Sequence, residues 1–163
     1  MVGSVGSDDK VEYLLNTLKI NAAFNYNKGK LVESLRAAAP EGIDIYYDNV
    51  GGEALEAALA VLKPFGRVIA CGMMSGYNVP IPYHVKNLFL IVAKRLEIQG
   101  FVVSDFSNEA SERFEREMGA WLEDGKIVYK EDITVGLENA PEAFLGLFRG
   151  KNFGKAMVKI ADL

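Results

Sequence analysis

The residues best suited to chemistry lie between Gly42 and Asn78, at the ends of two apolar runs. Ile43-Asp44-Ile45-Tyr46-Tyr47 gives way to Asp48-Asn49-Val50-Gly51-Gly52, and Arg67-Val68-Ile69-Ala70-Cys71 gives way to Gly72-Met73-Met74-Ser75-Gly76-Tyr77-Asn78. Asn49 offers a short amide, Ser75 and Tyr77 offer hydroxyls, and the glycines let a ligand approach the backbone closely. Runs rich in β-branched and aromatic residues read as strands. In an open parallel sheet, ligands bind where the strands end at their carboxyl side. Small residues and backbone amides gathered at that edge form the architecture of a cofactor site.

The elements that must hold this edge alternate strand and helix. Met1 to Ser4 reads as a short strand, Asp8 to Leu18 as a helix, and Ala22 to Tyr26 as a strand. Lys30 to Ala39 reads as a helix stopped by Pro40, Ile43 to Asn49 as a strand, and Glu53 to Leu62 as a helix stopped by Pro64. Gly66 to Cys71 is a strand, residues 72–83 a loop with Pro80 and Pro82, and His84 to Arg95 a helix. Leu96 to Val103 alternates into a further strand, and Glu109 to Asp124 is a long amphipathic helix closed by Gly125. Such spacing implies an α/β domain, its parallel sheet covered on both faces. Beyond it, strand-like stretches at Ile127 to Tyr129 and Ile133 to Val135 precede a helix from Pro141 to Phe148 and a closing strand from Gly154 to Ile160.

Composition narrows the class. A chain of 163 residues, half of them hydrophobic, can bury a real core. The net charge of −4 argues against a nucleic-acid partner. No apolar run approaches the ~18 residues of a membrane span, and Lys94 and Arg95 close the strongest one, Leu88 to Val92. The N-terminus lacks a basic start and long apolar core. Cys71 is the only cysteine, so no intrachain disulfide forms and a cytoplasmic location follows by default. One Cys and one His, His84, do not assemble a zinc site.

A dinucleotide fold normally opens with a strand and a glycine-rich turn that seats pyrophosphate on a helix N-terminus. No G-x-G-x-x-G in that context occurs here. Gly3-Ser4-Val5-Gly6-Ser7 fits the second strand-to-helix turn, where the adenosine ribose is read. The expectation is a chain that begins one βα unit late, as a fragment would.

Six blocks, in order, carry a resemblance across essentially the whole chain: VGSVGSDDKVEYL, AFNYN, GIDIYYDNVGG, FGRVIACGMMSGYN, EIQGFVV and EDGKIVYKEDITVGLENAPEAFLGLFRGKNFGK. Together they resemble the zinc-independent medium-chain dehydrogenase/reductases, most of all the prostaglandin and leukotriene reductases and the plant alkenal double-bond reductases. The resemblance implies a Rossmann-like doubly wound parallel sheet that lacks its first βα unit and the family's N-terminal GroES-like catalytic domain. Residues 1–128 would be the partial NADP-binding domain. Residues 129–163 would pack on the catalytic domain. Members of the family use NADPH to reduce the C=C bond of α,β-unsaturated aldehydes and ketones, hydride going to the β-carbon and a proton to the α-carbon.

The resemblance also distributes roles. Lys10 would meet the 2′-phosphate of NADP(H) at the start of the first helix, with Ser7 beside it and Tyr26 adding a hydroxyl contact; no acid ends the first strand to hold ribose hydroxyls. The plain alternative makes Lys10 a solvated charge and Tyr26 a core aromatic, and Asp8 and Asp9 suit a helix N-terminus. Asn49 would touch ribose or pyrophosphate, or else form an Asx turn feeding the Glu53 helix. Cys71, Gly72 and Ser75 would wrap the nicotinamide ribose, with Cys71 itself read as a buried small hydrophobe. Tyr77 would hydrogen-bond the ribose or the substrate carbonyl as it becomes an enolate, or pack as a loop aromatic under Pro80 and Pro82. Backbone groups of Phe101, Val102 and Val103 would pair with the carboxamide, and Asn152 would contact cofactor or serve only as a turn. His84 reads as a helix-start residue.

The function expected is therefore the cofactor-binding portion of an NADPH-dependent enal/enone reductase. An NADPH:quinone reductase of the same superfamily is the alternative within enzymes, and a non-catalytic fragment or oligomerisation module is the alternative outside them. A homodimer through residues 96–103 is expected, since unpaired apolar edges invite another chain.

Overall fold

The computed structural model describes residues 1–106 and 108–162, in two compact units, Met1–Ser107 and Asn108–Leu163. In the first, strand and helix alternate: β1 (Val2–Val5), α1 (Asp8–Asn16), β2 (Ala22–Asn25), α2 (Leu31–Ala38), β3 (Ile43–Asp48), α3 (Gly52–Val61), β4 (Leu62–Ala70), α4 (Phe89–Lys94) and β5 (Glu97–Gly100). All its strand pairs are parallel. They form two separate sheets, β1-β2 and β3-β4-β5, so β1 and β3 do not pair with each other. The α/β class and parallel pairing match the sequence reading.

α3 organises the core. Its segment GEALEAALAV is apolar nearly all round, and Leu55, Ala57, Ala58, Leu59 and Val61 are buried. Leu55 and Leu59 join Leu62, Val68 and Leu96 in the central cluster, against which Ile43, Tyr46, Val85, Leu90 and Ile91 pack. Its carboxyl end meets a cation: Lys94 Nζ donates to the carbonyls of Leu59, Ala60 and Leu62 at 2.9, 3.0 and 2.6 Å. These carbonyls have no donor within a helix that stops here, and a charged donor near them is favourable.

The register of β3 on β4 jumps. Ile43 faces Leu62 but Ile45 faces Arg67, so residues 63–66 loop out. Phe65 sits there at φ 65°, and Arg95 stacks over its ring at 4.5 Å. Gly66 is required by space, since a Cβ would come within 2.7 Å of Leu62 and 2.9 Å of the Lys63 carbonyl.

Four elements differ from the sequence expectation. The strand foreseen from Gly66 begins already at Leu62. The helix foreseen from His84 covers only Phe89–Lys94, and His84 lies in irregular chain ahead of it. There the Lys86 N–H donates to Glu56 Oε2 at 2.7 Å and Asn87 Nδ2 to the Glu56 carbonyl at 2.8 Å, which commits the segment to α3 before a helix can start. β5 stops at Gly100; the Val102 N–H donates to Asp105 Oδ2 at 3.2 Å, and residues Val103–Asp105 form a 3₁₀ turn. No strand forms at residues 127–129.

The second unit contains α5 (Asn108–Glu123), β6 (Glu131–Val135), α6 (Ala140–Leu147) and β7 (Lys155–Lys159). β6 and β7 pair in parallel, with Ile133 opposite Met157. Gly125 ends α5 at φ 66°, and Pro141 sits in the first turn of α6. No described helix is long and apolar enough to cross a membrane.

Candidate cofactor site

Two clusters of the expected residues form at the carboxyl ends of the first unit's strands. The first surrounds the turn from β1 into α1. Ser7 precedes the helix in extended conformation, and its hydroxyl is buried with no well-formed hydrogen bond, although it lies close enough to Asp9 to help hold that carboxyl below its ordinary value. Lys10 follows one turn on, half-buried, and its charge acts on Asp9 in the same direction. Tyr26 lies over Gly6: a Cβ on Gly6 would sit 2.8 Å from the phenol oxygen. Tyr26 is 46% exposed, so it is not a core aromatic.

The acids at this turn are engaged. Asp8 accepts from Asn25 Nδ2 at 2.9 Å and from Lys28 Nζ at 2.5 Å, and these bonds, Asn25 first, hold its carboxyl below the ordinary value. Lys28 was not foreseen. The signal was its place just past β2, at the same sheet edge as Ser7.

The second cluster joins the β3–α3 turn to the loop after β4. Asp48, fully buried, accepts through Oδ1 from Tyr46 Oη at 3.0 Å, the Val50 N–H at 2.9 Å and the Gly51 N–H at 2.8 Å. Burial, and then the Asp48 charge, push the Tyr46 phenol well above its usual range. The Asx-type turn considered for Asn49 therefore belongs to Asp48. Asn49 is exposed, and among the described residues its side chain makes no hydrogen bond.

The backbone carbonyls of this turn carry the neighbouring loop. Asp48 O accepts from the N–H groups of Cys71 and Gly72, Asn49 O from Met74, and Val50 O from Ser75. Ser75 Oγ adds a bond to Val50 O at 2.6 Å. Tyr77 folds back so that its hydroxyl oxygen accepts the Met73 N–H at 3.2 Å. Its ring is 67% exposed, so packing under Pro80 and Pro82 does not bury it. Cys71 is exposed rather than buried. Beside it the Tyr47 phenol is shifted upward, chiefly by the neighbouring Cys71 thiol. The Tyr47 ring lies 6.3 Å from that of Phe101, which lies 5.9 Å from Phe106. The Phe101 N–H donates to Ala70 O at 3.3 Å, while Val102 and Val103 are exposed.

Asn152 belongs to the second unit. Its Nδ2 donates to the Gly154 carbonyl at 2.7 Å, a turn contact, and it borders a cavity of about 300 Å³ with Asp132, Thr134, Glu142 and Lys151. Its neighbour Phe153 donates its N–H to Asp132 Oδ2 at 2.8 Å.

The sequence profile of the zinc-binding dehydrogenase family matches residues 1–123. The chain belongs to that family. Among its relatives, bovine prostaglandin reductase 1 is 44% identical over 161 residues, covering 98% of this chain and 49% of that protein. The NADP(+)-dependent 2-alkenal reductase of tobacco is 41% identical over 162 residues, covering 99% of this chain and 47% of that protein. The crystal structure of CurA from Vibrio vulnificus in complex with NADPH superposes with a TM-score of 0.90 at 34% identity, covering 99% of this chain and 50% of that one. Within the family the chain therefore groups with the zinc-independent medium-chain reductases. It spans about half the length of the relatives it matches. Although the family description names zinc, no three His, Cys, Asp or Glu side chains among the described residues come together to hold a metal ion, so these residues do not fit one.

Proposed function

We propose that this chain is the cofactor-binding portion of an NADPH-dependent reductase of the C=C bond in α,β-unsaturated aldehydes and ketones. The observation that carries the cofactor is the β1–α1 turn. A buried Ser7 hydroxyl without a well-formed bond, the Lys10 ammonium and the Tyr26 phenol surround a helix start, where an anion is favoured. Asp8, one of the two acids at this turn, is paired with Lys28. These residues fit the 2′-phosphate of NADP(H), and the NADP(+) dependence of the tobacco reductase and the NADPH in the CurA complex support that choice.

When bound, the nicotinamide supplies hydride. What this chain supplies is placement. The loop from Cys71 to Tyr77 would hold the nicotinamide ribose, with Gly72 and Ser75 as contacts, and Asn49 offers an exposed amide. The backbone of Phe101, Val102 and Val103 would pair with the carboxamide, and Asn152 is a further candidate contact. Tyr77, whose oxygen accepts the Met73 N–H, would have its phenolic proton free to donate to a substrate carbonyl oxygen. Residues 1–128 hold the cofactor in this reading, and residues 129–163 return to the other half of the parent reductase. Two copies pair through residues 96–103.

Titration of this chain with NADPH and NADH, followed by nicotinamide fluorescence, tests the reading. NADPH should bind about tenfold or more tightly, as a charge-assisted phosphate contact requires. Equal affinity for the two, or none for either, overturns it.

A further inference from the structure

We propose that Asp48 is a positioning residue: it fixes the loop from Cys71 to Tyr77 in register on the β3–α3 turn. The inference rests on the cofactor reading above for the purpose of that loop, but not for the mechanics.

The mechanics are local. One carboxylate oxygen gathers the N–H groups of Val50 and Gly51, which folds residues 49–51 around it. Gly51 takes φ 67°, ψ −154°, a conformation open essentially to glycine alone. A turn folded in this way directs its carbonyls outward. Asp48 O, Asn49 O and Val50 O then receive the Cys71, Gly72, Met74 and Ser75 N–H groups and Ser75 Oγ. The fit is close. A Cβ on Gly51 would lie 3.1 Å from the Met73 side chain, and one on Gly52 would lie 2.7 Å from Ser75 Oγ. Met73 in turn holds Tyr77 through its N–H. A continuous chain of contacts thus runs from a fully buried carboxylate to the exposed phenol.

Asp48 touches no ligand position itself, since it is sealed inside the unit. Its other oxygen, Oδ2, is buried with no partner among the described residues. Packing alone would not place a carboxylate there, because burying an ion that lacks its full set of donors is costly. Holding the turn gives it a reason to be present.

Amide hydrogen exchange on this chain, free of cofactor, tests the inference. In the wild type the amides of Cys71, Gly72, Met74 and Ser75 should share the protection of Val50 and Gly51, as members of one cooperative unit do. Open exchange at residues 71–75 beside protected Val50 and Gly51 overturns the coupling without any variant. In Asp48→Ala the loop amides should exchange about tenfold or more faster after normalisation to core amides such as Leu59 and Val68, as loss of a charged acceptor implies. Asp48→Asn, which keeps an acceptor oxygen, should restore loop protection to within about threefold of wild type on the same normalisation. Equal acceleration of loop and core in Asp48→Ala would make Asp48 a stability residue only. The NADPH titration of the wild type, run in parallel, judges the cofactor reading separately: absent binding ends that reading, while the exchange data still decide whether Asp48 holds the loop.

Discussion

Tyr77 accepts a hydrogen bond from the Met73 N–H at 3.2 Å and keeps its own phenolic proton available on a ring that is 67% exposed. Those two facts put a donor at the sheet edge in a fixed place. In the parent reductase, Tyr77→Phe should lower kcat by about one to two orders of magnitude, the usual range for a positioned proton donor. Turnover near wild type would remove the hydroxyl from the chemistry.

Lys10→Ala separates the two nicotinamide cofactors. If the ammonium meets the 2′-phosphate, NADPH affinity should fall roughly tenfold or more while NADH affinity stays unchanged. Fluorescence titration of both cofactors reads the difference, and parallel losses would return Lys10 to the role of a helix charge.

Acid should unfasten the β1–α1 turn. The folded Asp8 carboxyl is held below its ordinary 3.8, chiefly by Asn25 and then by Lys28. Its stabilising contribution is therefore fully present above 3.8 and is lost as pH falls through the lower folded value. Asp8→Asn should be the less stable protein near neutrality, with the gap closing as pH drops below 3.8 in urea unfolding monitored by circular dichroism. A gap that stays constant with pH would show that the ion pair is idle.

Lys94 caps α3 with three carbonyl contacts. Burial, and then the charge of Arg36, lower its pKa, so the ammonium is held there against some resistance. Lys94→Met keeps the stem and removes the donor. It should cost about 1.5–3 kcal/mol in chemical denaturation, the range for hydrogen bonds to charged groups.

The three-stranded sheet ends at β5, and Val102 and Val103 just beyond it are exposed. If two copies pair through residues 96–103, Val102→Lys should shift a dimer toward monomer in light scattering at tens of micromolar. A wild-type monomer under those conditions would refute the pairing.

Much of this was legible in the residues. Pro64 marked the end of α3, which stops shortly before it at Val61, but the strand expected from Gly66 already begins at Leu62. His84 misled because the segment before α4 is settled by Glu56, some thirty residues away, and no local pattern reports that contact. Phe101 to Val103 read as strand on apolar character, but the Asp105 carboxylate takes the Val102 N–H out of the ladder. The choice between Asp48 and Asn49 for the Asx turn was within reach. Strand alternation puts Asp48 on the same side as Tyr46, and the core lies on that side. The exposure of Cys71 was not within reach, since it depends on what covers the loop and not on the strand before it.

The looped-out residues 63–66 lie at the amino end of β4, while Cys71 follows its carboxyl end. Between them the regularly paired residues Arg67 to Ala70, at about 3.3 Å per residue, span roughly 10 Å of strand. Phe65 is 73% exposed and already stands outside the ladder. A cysteine introduced there with Cys71 replaced by serine would carry a single dye at a known span from the sheet edge. The bulge thus makes the strand a built-in ruler, along which energy transfer from a bound nicotinamide to the dye could be read.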